Sequence, residues 1–192
     1  MLKIKTMKKF FTILIMSLFL SSNIYAGSEK SDQLIKLNYL FDELIKNNNN
    51  ENADLIEREI WSVWNKHPSQ KKLTNKLEFA TKLMFQGRYD YALIIFTNII
   101  EKDSSWPEAW NKRATLFFLM KEYEKSLTDI EKVLNLEPRH FGALSGRAKI
   151  YIERQQYQKA INDLKKVKKI YPTIRNNILI IELEKIMKGL SI

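Results

Sequence analysis

WNKRATLFFLMKEYEKSLTDIEKVLNLEP, residues Trp110 to Pro138, decides how the rest of the chain is read. In it a small residue, Ala114, stands one helical turn before a large one, Phe117. After Tyr123 a second set follows, Ser126 with Ile130 and Val133, and Pro138 ends the stretch. The same columns recur 34 residues to either side: Tyr89, Tyr123 and Tyr157; Ala80, Ala114 and Ala148; Ala92, Ser126 and Ala160. Large apolar residues keep the beat, as Leu83, Phe117 and Tyr151, as Phe96, Ile130 and Leu164, and as Ile99, Val133 and Val167. Self-similarity at a fixed period of this length marks a repeat array.

The spacing has a physical meaning. Small residues let two antiparallel helices approach closely, and the large ones fill the groove between them. The turn between the two helices falls near Gly87-Arg88, Lys121-Glu122 and Gln155-Gln156. Proline cannot continue a helix, so Pro138 and Pro172 mark the exits. A helical hairpin cannot bury its apolar face alone, so such units stack into a solenoid. With 192 residues, five glycines and four prolines, the composition suits long helices better than a turn-dense β fold. The expected fold class is all-α, an α-solenoid of antiparallel helix hairpins.

These residues carry a resemblance. Trp110, Ala114, Phe117, Tyr123, Ser126, Ile130, Val133 and Pro138 follow the pattern of the tetratricopeptide repeat (TPR), and the resemblance implies a TPR superhelix over three units, 73–106, 107–140 and 141–174. EAWNKRAT together with EPRHFGAL also resembles short exported TPR proteins of Gram-negative bacteria that have no assigned activity.

Residues 27–72 read as a divergent N-terminal helical hairpin. One helix is expected over Asp32–Lys46, capped by Ser31 or Asp32, and a second from about Asn52 to Lys66. Trp61 and Trp64 are expected to cover the first repeat. Residues 175–192 read as a C-terminal capping helix, with Ile178, Ile181 and Met187 facing the array and Leu179, Ile180, Leu183 and Ile186 widening its apolar stripe. A homodimer or partner contact through residues 178–187 is expected from that width.

The first residues have another character. Lys3, Lys5, Lys8 and Lys9 precede an apolar run from Phe10 to Leu20 that ends in small residues. This is the pattern of a signal peptide over 1–26, cut between Ala26 and Gly27, and Met7 serves as an alternative start to Met1. The run is about half the roughly 20 apolar residues that span a bilayer, so no stable membrane span is expected once it is removed. An exported, periplasmic location follows as the expectation. Net charge is +10, four of it from those lysines, and no basic stripe points to nucleic acid. The chain has no cysteine.

Chemistry finds little foothold. His67 and His140 are far apart and each sits beside a proline break. No ligand spacing for a metal, phosphate loop or nucleophile motif is present. The chain is therefore expected to be no enzyme, with no catalytic residue, metal or cofactor. Arg139 and His140 are expected at an inter-repeat turn, with Gly142, Ala143 and Gly146 letting the next helix pack closely. Arg113 with Asp129, and Arg147 with Asp163, share repeat positions that become Phe79 and Ile95 in the first unit. Apolar residues replacing both at once suggest structural ion pairs within repeats. Trp106 is expected at the turn into the second repeat.

The resemblance implies that a partner is held on the concave face, by another protein's peptide segment lying along the first helix of each repeat. The candidate contacts are Leu77, Thr81 and Met84, then Asn111, Thr115 and Phe118, then Ser145, Lys149 and Ile152. The lysine–asparagine clamp of some family members is absent, since Leu77, Thr81, Gly142 and Gly146 stand at its positions. Two further classes remain open: a self-associating scaffold built through the last helix, and an envelope enzyme or small-ligand-binding protein with its site on the N-terminal hairpin.

Overall fold

A computed structural model describes residues 29–47 and 50–189. The signal-peptide reading of residues 1–26 and its cleavage point lie outside the described residues. Among those described there are nine helices and no strand: α1 (29–46), α2 (Asn50–Trp64), α3 (Lys71–Phe85), α4 (Tyr89–Lys102), α5 (Pro107–Leu119), α6 (Tyr123–Leu136), α7 (Phe141–Glu153), α8 (Tyr157–Ile170) and α9 (Asn177–Met187). The helices α3 with α4, α5 with α6 and α7 with α8 are the three hairpins of the period, and each second helix packs on the first helix of the next hairpin. Helix α1 is already formed at residue 29, so Ser31 and Asp32 lie inside it and do not cap it.

The small-residue columns sit where the helices touch. Ala80, Ala92, Ala114, Ala148 and Ala160 are all buried. In the middle hairpin the column holds Ser126, whose hydroxyl donates to the Ala114 carbonyl at 2.8 Å. A buried hydroxyl without a partner would be costly, and the neighbouring helix supplies one. The three turns are built alike. Gly87, Lys121 and Gln155 have φ of 74°, 61° and 57°, and the next residue's N–H donates five residues back, from Arg88 to Leu83, Glu122 to Phe117 and Gln156 to Tyr151. This left-handed stop satisfies the last helix carbonyls, and it suits glycine best.

The N-terminal hairpin does not cover the first repeat. Its core residues Phe41, Leu44, Ile60 and Trp64 join Phe141, Leu144, Val167 and Tyr171 of α7 and the end of α8 in one cluster. Trp61 meets Phe141 edge-on with ring centroids 5.5 Å apart, and Trp64 lies against both Phe141 and His140. The physical reason is at the C-terminus of α2, whose free carbonyls need donors. Gln33 Nε2 donates to Val63 and Lys66, and Trp106 Nε1 donates to Trp64 at 2.9 Å. These bonds hold the hairpin along the inter-repeat turns. Trp106, expected at a turn, is buried in this seam.

Helix α9 is rotated from its expected setting. Ile180 and Leu183 face α7 and α8, while Ile178, Ile181 and Met187 are exposed. Two contacts set the register: Asn176 Nδ2 donates to the Leu164 carbonyl, and Lys165 pairs with Glu184 at 2.8 Å.

Candidate functional site

Neither histidine faces solvent, and both do the same work. His140, the N-cap of α7, accepts the Ala143 N–H at Nδ1, 3.1 Å away. A backbone N–H can only donate, so the ring proton lies on Nε2, which donates to Glu108 Oε2 at 3.0 Å. His67 repeats the arrangement, accepting from Ser69 and Gln70 at Nδ1 and donating through Nε2 to Asp103 at 2.9 Å. His140 is fully buried, so this inter-repeat turn is capped from the inside.

Glu108 is also fully buried, beneath the concave face. Burial opposes its ionisation, but the Lys112 ammonium at 2.8 Å and the His140 hydrogen bond outweigh that and hold its carboxyl below the usual value. Asn111 Nδ2 donates to the same carboxylate at 3.1 Å. At the other end of α2, the Tyr171 hydroxyl lies 2.9 Å from Asp54 and 3.1 Å from Glu57, and burial together with these two carboxylates pushes the phenol's pKa far up. Each of these groups is engaged with neighbours inside the scaffold. No group of three or more metal-ligating side chains gathers among the described residues.

Arg113 grips Asp129 through Nε and Nη2 at 2.7 and 2.9 Å, and Arg147 grips Asp163 at 2.7 and 2.8 Å. Both aspartates are buried. Arg113 also reaches Thr97 of the preceding hairpin at 3.2 Å, so it ties two repeats together. At the outer repeat Phe79 occupies this position and is exposed, since no earlier repeat stacks there.

The nine candidate contacts divide. Asn111, Thr115 and Phe118 of α5 and Ser145 and Lys149 of α7 line one open pocket of about 380 Å³ on the concave face. Leu77 and Thr81 line a separate depression with Phe85 and Asn65. Met84 is buried in the core of the first hairpin, and Ile152 packs against the cluster beneath α9. The pocket has a wall that repeat spacing did not disclose: Trp61 and Glu57 of α2 stand across from α5 and α7. A Cβ on Gly142 would overlap the Trp61 ring, 2.9 Å from Cζ2 and nearer still to Cη2. Gly142 is therefore the residue that lets Trp61 into the groove. The signal for this was two tryptophans three apart on a helix, which a period of 34 does not place against any repeat.

Comparison with known proteins agrees with this architecture. Residues 107–140 and 143–173 match tetratricopeptide repeat family models. A TPR repeat-containing protein of Rhizobium etli is 40% identical over 111 residues, 58% of this chain and 54% of the relative, so the chain spans about half the length of that relative. Among solved structures, the first TPR of Spaghetti (RPAP3) bound to an HSP90 peptide superposes with a TM-score of 0.56 at 24% identity, over 62% of this chain and 93% of the other. A tetratricopeptide repeat protein from Parabacteroides merdae gives 0.56 at 23% identity, covering 79% and 61%. The TPR2B domain of yeast Sti1, in its complex with pHsp70, gives 0.55 at 14% identity, covering 62% and 99%. The hairpins, the period and these matches agree: residues 107–140 and 143–173 are tetratricopeptide repeats within an all-α solenoid.

Proposed function

We propose that this chain is an exported protein-interaction scaffold of the cell envelope that holds a peptide or protein segment on its concave face and performs no chemistry of its own. One observation carries the reading: Asn111, Thr115, Phe118, Ser145 and Lys149 from two helices converge on one open pocket, while the buried ionisable groups around it are engaged in structure. The RPAP3 domain of the same fold is bound to an HSP90 peptide and the Sti1 domain is in complex with pHsp70, which supports the holding of a peptide or protein segment. The basic, apolar and small-residue order of residues 1–26 supports export. Among the described residues no helix is long and apolar enough to cross a membrane.

The experiment is site-specific photo-crosslinking in the cells that express the chain, with the crosslinker at Thr115 or at Thr128 on the outer face. Adducts from Thr115 alone, in the periplasmic fraction and on a chain beginning at Gly27, are the expected result. Equal adducts from both sites, or a cytoplasmic chain that keeps its first residues, would overturn it.

A second reading, self-association, rests on the exposed apolar side of α9, where Ile178 is 72% and Ile181 52% exposed. Sedimentation at rising concentration tests it: a dimer abolished by Ile178→Asp supports this reading, and a monomer throughout dismisses it.

A further inference from the structure

We infer that the concave pocket takes one large apolar side chain from an extended peptide segment, and that Trp61 of the N-terminal hairpin is the wall that sets this preference. The inference rests on the groove reading above and names the class of segment it accepts.

The shape argues against a helix. In an open solenoid groove a docked helix would lie along the first helices of the repeats, but here α2 stands in that space. Trp61 sits over Gly142, with Lys112 Nζ 5.8 Å from its ring centroid, and Asn65 reaches the Leu77–Thr81 depression. An extended strand that inserts one side chain fits.

The floor argues for an apolar occupant. Gly146 lies in the middle of α7, where glycine weakens a helix and no positive φ calls for it. Packing does not call for it either: a Cβ there would meet only Ile130 Cδ1, at 3.9 Å. This differs from Gly142, whose missing Cβ is filled by Trp61. The room above Gly146 is therefore open to a ligand, between Ala114, Phe118, Ile130 and the Trp61 ring. At the rim the Ser145 hydroxyl and the Lys149 ammonium have no partner among the described residues, whereas Lys112 is committed to Glu108. Free donors beside an apolar slot suit the main-chain carbonyls of an extended segment.

The test pans a random twelve-residue peptide library displayed on phage against the full chain, then measures the enriched peptides by fluorescence anisotropy. The expected peptides share one Phe, Leu, Ile, Met or Trp whose change to Ala weakens binding about tenfold or more. Gly146→Leu, which fills the slot with the chain's own side chain and favours the helix, is expected to abolish binding without lowering the melting temperature. Trp61→Phe is expected to shift the preferred anchor toward larger side chains. Peptides that bind Gly146→Leu as well as the parent, or that share no apolar anchor, overturn this inference and leave the groove reading standing. A library that yields no binder at all overturns both.

Discussion

The indole of Trp64 lies flat on the imidazole of His140, with ring centroids 4.0 Å apart and planes 8° from parallel. One residue belongs to the N-terminal hairpin and the other caps the first helix of the third repeat. Through this contact the hairpin reads the inter-repeat turn and so positions Trp61 in the groove.

Replacing His140 should cost far more than a surface turn would. His140→Ala removes the cap on Ala143, the stacking partner of Trp64 and a hydrogen bond to the buried Glu108 carboxylate. A lost cap is worth about 1 kcal/mol and a buried charge deprived of a partner several. The expected loss is about 3 kcal/mol or more in urea unfolding; less than about 1 kcal/mol would show that Glu108 finds other partners.

Stability should fall in acid through two carboxylates. Burial opposes ionisation of Glu108 and of Asp103, yet Lys112 and His140 in the first case, and Ser105 and His67 in the second, hold both below their usual values. A carboxyl whose folded pKa is depressed stabilises the fold above its unfolded value and loses that contribution as pH falls through the folded one. These two contributions are thus complete above about pH 4 and lost below it. Melting temperatures from pH 7 to 2 should drop in that window, and Glu108→Gln should make the acid limb shallower while lowering stability at neutral pH.

The repeat ion pairs should behave as structure. Asp129→Ala leaves the Arg113 guanidinium half-buried without its carboxylate, at an expected cost of about 3 kcal/mol. The double change Arg113→Phe with Asp129→Ile copies the pair Phe79 and Ile95 of the first hairpin and should fold within about 1 kcal/mol of the parent or more stably. A double variant as damaged as the single one would show that the charges set register.

The two glycines of α7 should respond with opposite sign. Gly142→Ala forces the Trp61 ring aside and should destabilise by about 1–3 kcal/mol, with a change in tryptophan fluorescence. Gly146→Ala meets no close neighbour and should stabilise by about 1 kcal/mol through helix propensity. Equal effects in chemical denaturation would remove the distinction.

At the hairpin turns, Lys121 and Gln155 hold a left-handed conformation that Gly87 adopts freely in the first repeat. Lys121→Gly and Gln155→Gly should each raise stability by about 0.5–1 kcal/mol, read as a higher melting temperature. A fall would mean that the side chains make up for their backbone strain.

Period and residue size were enough, in the sequence, to give three hairpins, their turns at 87, 121 and 155, and the pairing of Arg113 with Asp129. Those features depend on neighbours one helix or one repeat away, and a strict spacing carries such information. Five of the nine proposed contacts meet in one pocket for the same reason, since Asn111, Thr115, Phe118, Ser145 and Lys149 recur on one face of helices related by the period. The helix ends of the N-terminal hairpin were also nearly legible, because helical spacing of Leu37, Leu40, Phe41 and Leu44 needs no repeat to show it.

Where that hairpin docks was decided only in three dimensions. Its partners lie about 75 to 120 residues away: Trp61 against Gly142, Trp64 against His140, and Asp54 and Glu57 at Tyr171. No period links α2 to α7, so nothing in the spacing distinguished covering the first repeat from entering the groove of the third. The balance was settled by long-range terms: carbonyls at the end of α2 that need Gln33 and Trp106, aromatic faces that need His140 and Phe141, and a Cβ missing from Gly142. The same holds for α9, whose apolar residues run most of the way round the helix and whose buried side is chosen by Asn176 and Glu184. Local pattern determined which helices form and which stack, and tertiary packing determined which groove they leave open.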